Sequence, residues 1–96
     1  MQNTGIDLKS RPSLAAGARL HADPVDGCPV LLYPEGMLRL NETAGEILSR
    51  CNGEATVAGI IAALAEEYDA EAGALQTDVI ECLAQFRQRQ LVIFPL

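Results

Sequence analysis

The stretch LRLNETAGEILSRCNG, Leu38 to Gly53, constrains this chain more than any other, because its apolar period changes with almost no spacer. Leu38 and Leu40 flank Arg39 at strand spacing, and from Thr43 onward Ala44, Ile47, Leu48 and Cys51 recur at helical spacing. A strand that runs straight into a helix can serve two ends. Either the corner builds a catalytic site, or the helix packs behind the strand and the strand's edge stays open for another segment to pair with.

The flanking sequence supplies partners for that strand. RLHAD, from Arg19, alternates and leads into PVDG, whose Asp26-Gly27 pair suits a hairpin turn because both residues tolerate positive φ. CPVLLYP reads as the next strand, with Pro29 near its start or on an unpaired side, since proline cannot donate to a ladder. In YPEG, Pro34 is pre-set for the first central turn position and Gly36 can close the turn before MLRL. The pattern is a three-stranded antiparallel meander. Residues 1 to 17, ending in RPSLAAG, show no sustained period and read as an extended arm preceding a domain of residues 18 to 96.

Three helices are expected next. The first begins near Asn41 or Thr43, where Thr43 and Glu46 fit a capping box, and ends at Asn52-Gly53. The second has Thr56 as N-cap and carries Val57, Ile60, Ile61, Leu64 and Tyr68 on one face. The third follows Asp69 with the stripe Leu75, Val79, Cys82 and Phe86. LVIFPL closes the chain as a short strand or an apolar cover for the core. Sheet first and helices after gives an α+β, winged-helix-like domain, a three-stranded antiparallel sheet followed by a three-helix bundle.

Composition narrows the function. The net charge of −6 is uneven: residues 1 to 40 hold four basic and four acidic side chains, but residues 41 to 96 hold three arginines against nine carboxylates. That half would repel a phosphate backbone, so a nucleic-acid partner is not expected. No apolar run is long enough for a spanning helix, and MQNTGIDLKSR lacks an apolar export signal, so no membrane partner and a cytoplasmic location are expected. Cys28, Cys51 and Cys82 form no C-x-x-C pair and have one histidine to join them, which argues against a metal site and for small buried thiols. His21 stands without a nucleophile or acidic motif, Glu66, Glu67, Asp69 and Glu71 point different ways around a helix end, and no glycine-rich phosphate loop follows a strand. No catalytic residue and no cofactor are expected.

Beside its core stripe the third helix carries a second row, Gln76, Ile80, Leu83 and Arg87, so its apolar surface is wider than one face requires. Two readings stay open: a broad core contact, or a groove with an apolar floor and Arg87 at its lip. The third strand of a meander has one neighbour, and its unpaired edge can accept an extended peptide by β-augmentation.

RPSLAAGARL, VLLYPEGMLRLNETAGEIL, CNGEATVAGIIAALAEEYDA and DVIECLAQFRQRQLV, in that order over about residues 11 to 93, resemble the pyrroloquinoline quinone biosynthesis protein D family. The block PEG-x-L-x-LN-x-TA is the most specific part. The resemblance implies a protein that is not an enzyme. It binds the short precursor peptide of the quinone, as a recognition element for ribosomally made, modified peptides, and presents it to a radical S-adenosylmethionine enzyme that cross-links a glutamate and a tyrosine. Carried over by position, the implied peptide site is Met37, Leu38, Arg39 and Leu40, with Gln76, Ile80, Leu83 and Arg87 of the third helix. Asn41, Glu42 and Thr43 match the motif and are expected to serve the cap and corner. A winged-helix DNA-binding protein and a carrier of the finished quinone are the alternatives. The open edge and apolar arm would also allow a homodimer.

Overall fold

The computed structural model describes residues 5–94. Residues 1–4 of the expected arm and 95–96 of the expected closing segment lie outside the described residues. Among the described residues, five strands and three helices follow in the order β1 (Ser13–Leu14), β2 (Arg19–Ala22), β3 (Pro29–Tyr33), β4 (Gly36–Arg39), α1 (Glu42–Ser49), α2 (Val57–Glu67), α3 (Ala72–Gln88) and β5 (Val92–Ile93). The meander is the antiparallel sheet β2-β3-β4, followed by the three helices, so the expected α+β fold is the observed one. No helix among the described residues is long and apolar enough to cross a membrane.

Alternation sets the sheet's two faces. Leu20, Leu31 and Leu38 are cross-strand neighbours and turn toward the helices, where Leu31 is fully buried. The helices cover that face with Ile47 and Leu48 of α1, Val57, Ile60, Ile61 and Leu64 of α2, and Val79, Leu83 and Phe86 of α3. Pro29 opens β3, as its missing N–H requires, and its carbonyl accepts from the Leu40 N–H at 2.9 Å. Pro29 also decides how close α1 comes. A Cβ on Gly45 would stand 2.7 Å from the Pro29 ring, so only glycine lets the helix settle on the strand there.

Several local expectations are corrected. The β2–β3 connection is not a two-residue turn on Asp26-Gly27, because only Gly27 takes positive φ. Two aspartates fold a longer loop: Asp23 accepts from the Val25 N–H at 2.8 Å and Asp26 from the Cys28 N–H at 2.9 Å. The cap of α1 is Asn41, whose side chain accepts from the Ala44 N–H at 2.7 Å, so Thr43 lies inside the first turn instead of heading a capping box. Thr56 caps α2 as expected, through the Gly59 N–H at 3.0 Å. Tyr68 follows the last turn of α2 and is exposed, because the apolar face ends one turn earlier at Leu64.

The arm has a definite berth. β1 pairs antiparallel with β5, forming a second, two-stranded sheet, so the closing segment does return as a strand. Upstream, the carbonyls of Leu8 and Ser10 each accept at 2.9 Å from the Ala58 and Val57 N–H groups of α2, and the Gly53 N–H donates to the Pro12 carbonyl. The Val57 and Ala58 N–H groups are among the helix-start donors that have no intrahelical partner. The arm thus completes the cap that Thr56 begins.

Candidate functional site

β4 is an edge strand, and register fixes which of its backbone groups face outward. Leu40 bonded to Pro29 makes that pair a hydrogen-bonded one, so along the register the Leu38–Leu31 and Gly36–Tyr33 pairs are bonded as well. The alternate residues, Met37 and Arg39, turn their N–H and C=O groups away from β3. Among the described residues no strand pairs with that side. The free edge therefore offers two donors and two acceptors in strand geometry, with Met37 exposed.

A groove of about 470 Å³ opens where this edge ends. Arg39, Leu40 and Asn41 form one side, Thr43, Ala44 and Ile47 of α1 the back, and Asp78, Glu81, Cys82, Gln85 and Phe86 of α3 the far side. A second hollow of about 540 Å³ lies at the other end of β4, between Tyr33, Pro34 and Glu35 of the β3–β4 turn and Arg89 and Gln90 after α3. Hollows thus lie at both ends of β4, one bounded by α3 and the other by the residues just after it.

The strand half of the expected site, Met37, Leu38, Arg39 and Leu40, sits at this edge, with Leu38 half-buried and Leu40 buried. The helix half lies elsewhere on α3. Leu83 has no exposed surface and belongs to the core. Ile80 packs against the core, Gln76 is exposed, and the Arg87 guanidinium lies 5.7 Å above the Phe94 ring, all about half a turn around α3 from the groove. The helix row that shares the groove with β4 is Asp78, Glu81, Cys82 and Gln85. Of the two readings open for the row Gln76, Ile80, Leu83 and Arg87, the core contact describes Leu83 and Ile80, and the groove lies on the more polar flank of α3.

Charge in the groove is decided by what Arg39 does. Its guanidinium bridges the β2–β3 loop, 2.7 Å from Asp26 and 3.1 Å from Asp23. The Cys28 N–H and then Arg39 hold the Asp26 carboxyl below its ordinary value, and Asp26 in turn raises Arg39. Burial pushes the Cys82 thiol up to about 11, so the one sulfur lining the groove is a protonated, weakly polar surface there and not a nucleophile. Among the described residues no group of His, Cys, Asp and Glu could hold a metal ion.

A meander followed by three helices, with an edge strand that ends at a helix-walled groove, defines a winged-helix-like domain. The chain belongs to the coenzyme PQQ synthesis protein D (PqqD) family, whose model matches residues 28–92. It is 40% identical to the PqqA binding protein of Azotobacter vinelandii over 88% of this chain and 91% of that one. It is 45% identical to the PqqA binding protein of Pseudomonas aeruginosa strain UCBPP-PA14 over 79% and 82%. The solution structure of the PqqD truncation of Methylobacterium extorquens PqqCD, described as a functional, stand-alone recognition element for ribosomally made, modified peptides, superposes with a TM-score of 0.81. Its identity is 31%, over 97% of this chain and 99% of that one. Xanthomonas campestris PqqD, in a crystal structure, gives 0.56 at 38% identity over 90% and 96%.

Proposed function

We propose that this chain is a non-catalytic peptide chaperone of pyrroloquinoline quinone biosynthesis. It binds a PqqA-like precursor peptide as a fourth strand on β4 and presents it to a radical S-adenosylmethionine enzyme of the PqqE type. The observation that carries this reading is the pair of outward-turned backbone groups at Met37 and Arg39, next to a groove walled by α3. Relatives named for binding PqqA support the identity of the peptide. The peptide contacts are Met37, Leu38, Arg39 and Leu40 on the strand, with Asp78, Glu81, Cys82 and Gln85 replacing the helix row expected from sequence.

Holding a peptide in this way needs no activated side chain. Each added main-chain bond contributes on the order of 1 kcal/mol net, and side chains in the groove supply the rest and the selectivity. Pairing of two copies through β4 would occupy the same edge, so a homodimer of that kind and peptide binding exclude each other. The DNA-binding alternative is disfavoured by Asp78 and Glu81 on the helix that would have to approach phosphate.

Met37→Pro tests the reading. It removes an outward N–H without removing a bond to β3, so in the variant shown folded by circular dichroism, affinity for a synthetic precursor peptide falls at least about fivefold. Unchanged affinity in the folded variant would remove the edge from the binding site.

A further inference from the structure

The groove at the end of β4 carries a charge asymmetry that selects among peptides. Asp78 and Glu81 stand three residues apart on α3, both exposed and both lining the groove. Among the described residues neither forms an ion pair, whereas Arg39, the one cation lining the groove, is committed to Asp23 and Asp26. The same groove is lined by the apolar residues Leu40, Ala44, Ile47 and Phe86. A strand added to β4 pairs through Met37 and Arg39, so its side chains opposite Leu38 and Leu40 turn toward the helices, two residues apart. One of those positions meets the apolar lining and the two carboxylates together. A long side chain with an aliphatic stem and a cationic head suits both, the stem on Ile47 and Phe86 and the head between Asp78 and Glu81.

Resting on the peptide-chaperone reading, we infer that the segment held on β4 carries a lysine or arginine facing α3, recognised by Asp78 and Glu81. An acidic side chain at that position would meet two carboxylates and no available guanidinium, so the same pair rejects it.

The test uses the full chain and a synthetic precursor peptide, with affinity measured by fluorescence anisotropy and the binding site by amide shifts on β4. Replacing Asp78→Asn and Glu81→Gln together is expected to weaken binding by about three- to tenfold at low salt, with the difference shrinking as salt is raised. Exchanging each lysine or arginine of the peptide for norleucine in turn identifies the partner: at one position the exchange weakens binding to the wild type and has no further effect on the double variant. If the peptide shifts β4 amides but neither set of changes alters its affinity, the charge assignment is overturned and the edge-binding reading stands. A peptide without lysine or arginine that binds at β4 overturns it equally. If no β4 amide shifts at saturating peptide, both inferences fail.

Discussion

The thiols of Cys51 and Cys82 report the packing of two helices through their chemistry. Cys51 is buried just beyond α1 and donates to the Ile47 carbonyl at 3.4 Å, and Cys82 is half-buried on α3. Burial pushes them up to about 12 and about 11 from an ordinary 9.0. A group whose folded value is raised keeps its proton where the unfolded chain has lost it, so its contribution is complete below pH 9 and is lost as pH climbs toward the folded value. Urea unfolding between pH 8 and 10.5 should show stability falling by on the order of 1 kcal/mol per pH unit for each thiol. Cys82→Ala should flatten that slope. An identical slope in the variant would mean that Cys82 is not desolvated as described. Sequence marked all three cysteines as small buried thiols: Cys51 is buried, whereas Cys28 and Cys82 are half-buried, Cys82 because its flank of the α3 stripe borders the groove.

Elements differ in how much of them periodicity can reveal. Strands β2, β3 and β4 and all three helices were legible, since period and turn residues agree at each of them. Of the two starts that sequence allowed for α1, Asn41 and Thr43, the cap is Asn41 and the Thr43 capping box does not form, because caps two residues apart compete and only packing chooses. On α3 the choice between flanks was likewise tertiary. Helix spacing shows that Leu83 and Ile80 lie together, but not that α2 and the body of the core already cover them. Gly45 is an element-scale residue of another kind: mid-helix glycine ordinarily costs about 1 kcal/mol relative to alanine, yet here it admits Pro29. Gly45→Ala should therefore lower the urea midpoint, with a net loss of about 1 to 2 kcal/mol and an unchanged m value, and should displace Thr43 and Ala44 at the groove. A variant as stable as the parent would show that α1 can lift from the sheet without penalty.

At the scale of the molecule, the arm, the two sheets and the helices share one division of labour. The arm's carbonyls and β5 finish one side, capping α2 and pairing β1, and the helices cover the inner face of the meander. Among the described residues the meander keeps two outer edges, β2 and β4, and the edge of β4 ends at a groove walled by α3. The abrupt passage from Arg39 through Leu40 and Asn41 into α1 keeps that edge clear, since a longer connection would have room to fold back over it. The most direct test is amide hydrogen exchange at β4 with and without saturating precursor peptide. The account predicts that the Met37 and Arg39 amides, turned outward, slow by at least about tenfold on binding, while Leu38, already bonded to β3, changes little. Binding that leaves Met37 and Arg39 exchanging as they do in the free protein would contradict it.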